Sequence, residues 1–187
     1  MSIFLDNLAE NRELFARLDE LDYGVGAAVN AIAESLRSGG KVMFCGNGGS
    51  AADCQHLAAE FTGRFVEDRV PLAAIALTTD TSALTCIAND YDFGTVFTRQ
   101  VAALGRHGDC LVGISTSGNS PNVVAAFQEA RRLGIITIGL LGRDGGKLRE
   151  LSDIPVVVES CVTARIQEAH ILIGHSLCGA VERQLGY

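Results

Sequence analysis

The chain has 187 residues, of which 48% are hydrophobic and 20% charged, and its formal net charge is −7. This composition fits a globular domain with its own core and excludes a disordered chain or one that depends on disulfides. The acidic balance argues against a nucleic-acid partner or an acidic membrane surface, because such surfaces need clustered lysine and arginine. We therefore expect any anion to be bound locally.

The cysteines and the N-terminus indicate a reducing compartment. The six cysteines show no Cys-x-x-Cys pairing, and most have apolar neighbours, which predicts buried free thiols. The first ten residues contain no basic and apolar run of the signal-peptide type. No stretch of the chain approaches the roughly 20 apolar residues of a membrane span. These features predict a cytoplasmic protein.

The chain begins with segments whose hydrophobic residues are spaced as in helices. After them, short apolar runs typical of strands alternate with further helical segments. The first 38 residues contain two helical patterns, which predict N-terminal helices ahead of the main domain. The predicted strands that follow are 42–45, 73–77, 110–114, 135–141 and 154–158. The predicted helices are 50–65, 81–88, 95–104, 122–133 and 165–185.

The strands predict a parallel sheet. The run 135–141 is apolar throughout, whereas a strand with one solvated face would alternate between apolar and polar residues. We therefore predict an α/β fold, a doubly wound five-stranded parallel sheet of the flavodoxin-like type, flanked by helices and preceded by a helical arm. No repeat or linker is visible, so residues 1–187 are interpreted as one domain, with N-terminal helices in 1–38 and the α/β core in 39–187.

Two turns rich in glycine and hydroxyl groups follow predicted strands. The glycine turn is Cys45-Gly46-Asn47-Gly48-Gly49-Ser50, and the serine turn is Ser115-Thr116-Ser117-Gly118-Asn119-Ser120. In doubly wound sheets such turns meet where ligands bind, and helix N-termini favour anions. Tight turning or simple N-capping would also explain them. Because the spacing fits neither the dinucleotide fingerprint nor the nucleoside-triphosphate loop, a sugar phosphate is favoured over a nucleotide.

Candidate acid–base and metal-binding groups lie on two predicted helices. His56 and Glu60 are four residues apart and share a helix face, although a surface contact would give the same pattern. The last helix adds Gln167, His170 and His175. Gln167 and His175 are separated by about 12 Å of axial rise, so spacing alone identifies no metal site, and His175 could equally be a core histidine.

Together, these motifs resemble those of the phosphoheptose isomerases, which are sugar isomerase (SIS) domain proteins. The resemblance runs essentially end to end. It is carried by the two turns and by the motifs His56-x-x-x-Glu60, Asn89-Asp90 and Arg165-Ile166-Gln167-Glu168.

The resemblance implies conversion of sedoheptulose 7-phosphate to D-glycero-D-manno-heptose 7-phosphate, the first step of ADP- or GDP-heptose biosynthesis. It also implies a homotetramer with active sites between subunits and one zinc per subunit. By resemblance, the catalytic pair is Glu60 and His175. The zinc ligands would be His56, Glu60, Gln167 and His175. The substrate contacts would be Asn47, Gly48, Gly49, Ser50, Glu60, Asn89, Asp90, Ser115, Thr116, Ser117, Ser120 and Gln167.

The expected reaction passes through an enediol, with Glu60 as the base and His175 as the acid. A carboxylate that is also a zinc ligand is less basic, so the two roles of Glu60 are in tension. One departure from the family pattern is Ala164, where some isomerases carry an acidic residue, and we expect it to alter rate or substrate handling. Arg64 could assist the phosphate or form an exposed salt bridge.

Two other functions remain open. A related branch of the family binds the replication initiator protein and lacks the catalytic pair, whereas this chain keeps Glu60 and His175. A sugar-phosphate sensor would bind the same ligand without converting it. Turnover distinguishes the enzyme from both alternatives.

Overall fold

The structure is a computed structural model that describes residues 2–187. Within that range it contains one sheet of five parallel strands. The strands are β1 (Val42–Gly46), β2 (Ala74–Ala76), β3 (Cys110–Ser115), β4 (Ile136–Gly142) and β5 (Ile154–Val158). Their spatial order is β2-β1-β3-β4-β5, which is the flavodoxin-like order that the sequence predicts.

The helices connect the strands and cover both faces of the sheet. They are α1 (Ile3–Phe15), α2 (Asp22–Arg37), α3 (Gly49–Thr62), α4 (Thr81–Asp90), α5 (Val96–Leu104), α6 (Pro121–Arg132), α7 (Gly146–Leu151) and α8 (Thr163–Leu185). Single 3₁₀ turns occur at Leu18–Leu21 and Phe93–Thr95. No helix of residues 2–187 is both long enough and apolar enough to cross a membrane.

Alternate residues of each strand pack into two separate hydrophobic cores, one on each face of the sheet. Phe44 and Val112 point to the face covered by α2, α3 and α8. Cys45 and Leu111 point to the opposite face, which is covered mainly by α5, α6 and α7. Side chains of neighbouring strand residues alternate between faces, so one apolar run can serve both layers.

The N-terminal helices differ in how they pack. Helix α2 belongs to the first core, since Ala28 and Ile32 are fully buried. Helix α1 is mostly exposed and is attached to the start of α8 by polar contacts. The buried Arg165 donates to the Asn7 carbonyl, and Asn11 Nδ2 donates to Glu168 Oε2 at 2.8 Å. Helix α1 therefore joins the first core only near its C-terminal end, where Leu14 is buried.

The predicted elements agree with the structure except at their ends and at one helix. The strand 154–158 matches at both ends, whereas the predicted helix 50–65 stops three residues earlier, at Thr62. Helix α7 was not predicted because the sequence indicated only a turn at Gly145-Gly146. Both glycines have positive φ, and the six-residue helix begins immediately inside that turn.

The cysteines behave largely as predicted. All six are free, and Cys45, Cys54, Cys110 and Cys178 are buried. Burial raises the pKa of the Cys45 thiol to about 12. Cys86 and Cys161 are exposed, which the apolar-neighbour argument did not distinguish.

Candidate active site

The glycine turn places backbone rather than side chains at the carboxyl end of β1. Gly48 has φ +57°, a conformation that favours glycine. A Cβ at Gly46 would press on the Ile114 carbonyl, and one at Gly49 would collide with Gln167 Nε2. The turn leads directly into α3, whose second residue, Ser50, is buried. Exposed N–H groups and a hydroxyl therefore gather at a helix N-terminus, which suits an anion.

The serine turn lies on the neighbouring strand at the same edge of the sheet. The register pairs Gly46 with Ile114, so both turns begin at one level. The hydroxyls of Ser115 and Ser120 are hydrogen-bonded at 2.9 Å, and Pro121 opens α6. The two hydroxyls hold each other in place at the end of β3, and a bound anion would accept hydrogen bonds from them in place of the one that they share.

Each turn is fixed by a neighbouring segment. The side-chain amides of Asn47 and Asn122 exchange two hydrogen bonds of 2.9 Å, which join the glycine turn to α6. The serine turn packs on the turn before α7, because Gly118 has φ +64° and a Cβ there would overlap the Gly145 carbonyl group. Lys147 N also donates to Asn119 Oδ1 at 3.1 Å. The sequence analysis did not include Asn122, although its position beside Pro121 at the start of α6 was a usable signal.

A small pocket lies beside the two turns. Its volume is about 270 Å³, and it is lined by Asn47, Ser120 and the segment 92–94, among others. Asn89 and Asp90 lie at the exposed end of α4, just before that segment. Asn89 Nδ2 donates to Asp90 Oδ1 at 2.8 Å. The predicted contacts Asn89 and Asp90 thus hydrogen-bond to each other and lie outside the residues that line the pocket.

The candidate acid–base groups meet where α3 and α8 pack closely. Gly174 permits this approach, since a Cβ there would collide with Leu57. His56 precedes Leu57 and His175 follows Gly174, so the close packing of these two residues brings the two histidines into contact. The two Nε2 atoms are 2.9 Å apart, and His56 Nε2 is 3.6 Å from Glu60 Oε1. The structure therefore brings Glu60 and His175 close to the same ring nitrogen of His56.

A wider cavity opens beside His175. It has a volume of about 540 Å³ and is lined by residues of α8 and of the segment after α3. The ring of Phe65 packs on that of His175, with centroids 5.5 Å apart and an interplanar angle of 30°. His175 is therefore half-buried at a cavity wall and is not the enclosed core histidine that the sequence left open.

Gln167 lies apart from the other three predicted zinc ligands. It contacts Gly49 at the glycine turn, eight residues before His175 on α8, which is about 12 Å of rise. Across residues 2–187, no group of three or more His, Cys, Asp or Glu side chains is arranged to hold a metal ion. Pairwise contacts link His56, Glu60 and His175, but the three do not surround a common point.

Asp53 is a carboxylate near this site that the sequence analysis missed. It lies one helical turn before His56, and its Oδ2 is buried without a hydrogen-bond partner in the described chain. Burial raises the pKa of the Asp53 carboxyl, while the charges of His56 and His175 partly offset that rise. The i, i+3 spacing to His56 was the signal that could have revealed it.

The remaining candidates occupy different surroundings. His170 is 1% exposed and lies in the core, whereas Ala164 and Arg64 are exposed. Arg64 Nη1 donates to the Val66 carbonyl at 3.1 Å, so its guanidinium is turned toward the backbone. His170 is therefore enclosed in the core, and Arg64 forms no salt bridge within residues 2–187.

Comparison with known proteins gives consistent matches. A family model described as the SIS domain matches residues 7–142. The chain is 53% identical over 173 residues to a phosphoheptose isomerase of Rhodospirillum rubrum, covering 92% of each chain. It is 51% identical over 186 residues to a phosphoheptose isomerase of Aliarcobacter butzleri, covering 100% of this chain and 98% of that one.

A solved structure gives the same result in three dimensions. The phosphoheptose isomerase of Neisseria gonorrhoeae superposes with a TM-score of 0.92 at 47% sequence identity. The superposition covers 96% of this chain and 97% of the other. The agreement therefore extends over the sheet, the two turns and the α3–α8 pair rather than over a local motif.

Proposed function

The chain belongs to the phosphoheptose isomerase family of SIS domain proteins, and we propose that it converts sedoheptulose 7-phosphate to D-glycero-D-manno-heptose 7-phosphate for heptose biosynthesis. The observation that carries this proposal is that Glu60 and His175 lie close to the same nitrogen of the His56 imidazole. A carboxylate and an imidazole within reach of one ligand can move protons between adjacent carbons and their oxygens. A protein that only binds has no need of that arrangement.

The two turns are proposed to bind the phosphate group of the substrate. Ser50, Ser115, Ser117 and Ser120 offer hydroxyls at or just before the N-termini of α3 and α6. A phosphate dianion at this edge receives neutral hydrogen bonds and the favourable ends of two helix dipoles. Anchoring the far end of the sugar restricts the positions open to C1 and C2.

The chemical half is an aldose–ketose isomerisation. The carboxylate of Glu60 removes a proton from the carbon beside the carbonyl and returns it to the neighbouring carbon. The imidazole of His175 protonates one sugar oxygen and deprotonates the other, so that charge is moved without a free ionic intermediate.

We also propose that the site binds zinc. Imidazole nitrogens and a carboxylate are donors that zinc accepts, and these are the groups of His56, Glu60 and His175. In the described chain these side chains contact one another directly, so they would have to move apart to hold the ion between them. When bound, zinc would polarise the sugar carbonyl. Purified protein is expected to contain about one zinc per chain by elemental analysis, and His56→Ala should lose it. His107→Ala, at an exposed position away from the site, serves as the matched control.

Active sites completed between subunits of a homotetramer are part of the same proposal. Ser50 and Glu60 are ten residues apart on α3, or about 15 Å along the axis. The eight bonds from phosphorus to C1 of the sugar span only about 10 Å when extended. A second copy that brings its acid–base pair to these turns would shorten that separation. Light scattering measures the assembly, and a monomer that is active would contradict it.

The decisive experiment incubates the purified protein and zinc with sedoheptulose 7-phosphate and follows the sugar by NMR. We expect signals of the aldose phosphate to appear and, in deuterium oxide, the proton at C2 to exchange. Binding without conversion would indicate a sensor, and neither binding nor conversion would favour the initiator-binding alternative.

Because all six cysteines are free thiols, we propose that the reaction takes place in the reducing cytoplasm.

A further inference from the structure

A buried ion pair lies behind the acid–base groups and takes no direct part in the chemistry. Arg69 Nε and Glu182 Oε1 are 2.7 Å apart, with side chains only 1% and 4% exposed. Burying two charges is costly unless further hydrogen bonds satisfy them. The partners of those additional bonds therefore indicate what the pair holds in place. We name this pair the Arg69–Glu182 clamp.

The arginine half of the clamp binds the end of α3. Arg69 Nη2 donates to the Glu60 carbonyl and Nη1 to the Phe61 carbonyl, both at 2.8 Å. Helix α3 ends at Thr62, so these carbonyls lie in the last turn, where no helical N–H follows to bond them. A cation also suits the negative end of the helix dipole. Arg69 thus fixes the backbone of the residue that carries the catalytic carboxylate.

Glu182, the glutamate of the clamp, holds the segment that packs against the His175 imidazole. Glu182 Oε1 accepts a second hydrogen bond, from Phe65 N at 3.1 Å. Phe65 in turn packs its ring on His175. Glu182 and His175 are seven residues apart on α8, which places them on nearly the same helix face, about 10 Å apart along the axis. Glu182 therefore anchors the segment that forms one wall of the His175 site.

We propose that Arg69 and Glu182 are positioning residues that hold Glu60 and His175 in their working arrangement, and the kinetic part of this inference rests on the proposed isomerase function. Both side chains are buried, and their polar atoms are bonded to each other and to backbone groups, which assigns them a structural rather than a chemical part. The clamp joins the end of α3 to α8 behind the point where the two helices present their side chains. Its loss would let that end of α3 and the Phe65 ring move while leaving both turns intact.

The test variant is Glu182→Gln, which keeps the size of the side chain and removes its charge. We expect kcat to fall by about 10- to 100-fold, since displacement of catalytic groups by about 1 Å has effects of that size. KM, and the inhibition constant of inorganic phosphate as a probe of the turns, should stay within about twofold, because the anchoring hydroxyls lie elsewhere. A folded Glu182→Gln protein with native kcat would overturn the proposal.

Asp109→Asn is the matched control. Asp109 is a buried carboxylate paired with Lys41 at 2.5 Å, at the opposite edge of the sheet from the turns. Its loss should lower stability without lowering kcat. An equal fall of kcat in Asp109→Asn would mean that any buried charge has the same effect, and the clamp would have no special role.

A readout independent of turnover separates this inference from the proposed function. The ring resonances of His175, assigned in histidine-labelled protein by their loss in His175→Gln, should shift in Glu182→Gln and remain in place in Asp109→Asn. If wild type fails to convert the heptose phosphate, the isomerase proposal fails, and this spectrum still decides the clamp. Unchanged His175 resonances would overturn it.

Arg69→Lys provides a second variant in case Glu182→Gln does not fold. Lysine keeps a positive charge opposite Glu182 but cannot bond the two α3 carbonyls in the same fork geometry. We expect this protein to fold and to show the same selective loss of kcat. Native kcat in Arg69→Lys would show that the carbonyl bonds position nothing.

Discussion

The two halves of the candidate site are built in different ways. The glycine and serine turns consist largely of backbone, lie at the ends of buried strands and are locked by neighbours such as Asn122 and Gly145. The acid–base groups are side chains on two helices, and His56 is 49% exposed. The turns are therefore fixed by the strands and loops that surround them. The acid–base groups instead depend on how α3 and α8 pack.

This difference has a functional meaning. A preformed anion site can bind a sugar phosphate whether or not chemistry follows. In the proposed mechanism, turnover requires the acid–base half as well. Changes in the turns should therefore affect KM, and changes of Glu60 and His175 should affect kcat.

The largest expected effect comes from removing the base. Glu60→Gln keeps the shape of the side chain but takes away the group that removes the proton, so kcat should fall by about 10³-fold. KM and oligomeric state should remain close to native, because the turns and the clamp are unaltered. The measurement is steady-state turnover of sedoheptulose 7-phosphate, and retained activity would reassign the base.

The helix that joins the two halves contains a pH-sensitive residue. Burial lowers the pKa of His170 to about 4, and the backbone of Leu141 lies near enough to offset this only in part. In the unfolded chain histidine is protonated below about pH 6.5. The unfolded state therefore binds more protons between these values, and stability should fall by about 3 kcal/mol as pH drops from 6.5 to 4.

Replacement of His170 by methionine isolates that contribution. Neither ring nitrogen of His170 is placed for a regular hydrogen bond within the described chain, so His170→Met removes no strong polar contact. Urea unfolding at several pH values should give a shallower loss of stability for the variant below pH 6.5. Parallel curves for wild type and variant would contradict the buried neutral imidazole.

The lock between the serine turn and the turn before α7 can be broken at Gly118. Alanine there meets both a positive φ and the Gly145 carbonyl group, so Gly118→Ala should cost about 2 kcal/mol of folding stability. It should also raise KM with little change in kcat per folded molecule. Gly26→Ala, on α2 with open space around it, is the matched control and should be neutral or stabilising.

A smaller effect is expected from one hydroxyl of the serine turn. Ser120→Ala removes a hydroxyl that is hydrogen-bonded to Ser115 and that could donate to the phosphate, so KM should rise by about 10-fold. Turnover at saturating substrate should change little. If kcat falls instead and KM stays constant, the serine turn belongs to the chemical half of the site, and the distinction between the two halves fails.

Much of this architecture could be predicted from the sequence because it follows from local pattern. Continuous apolar runs indicated parallel strands, and turn residues after β1 and β3 indicated the ligand-binding edge. The contact between His56 and His175 could not be derived that way. It depends on Gly174 lying against Leu57, which is a packing event between distant segments, and the family resemblance rather than spacing supplied the catalytic pair.

Other parts were missed for the same reason. The clamp joins Arg69 to Glu182 across 113 positions, and nothing around either residue marks it as buried. Helix α7 is only six residues long and begins at two glycines, so propensity argues against it. Side-chain partners that come from different elements are settled by the tertiary structure and have no local signature.

The shared direction of α3, α6 and α8 has a consequence for how substrate arrives. All three helices begin at the carboxyl edge of the sheet, so their positive ends face the incoming phosphate, yet the influence of a helix dipole fades within about one turn. At longer range a dianion meets a chain with a net charge of −7. Dissolved ions screen the distant repulsion more than the close attraction. Moderate ionic strength should therefore speed capture of the sugar phosphate, the reverse of the dependence found in enzymes that guide anions with basic surfaces.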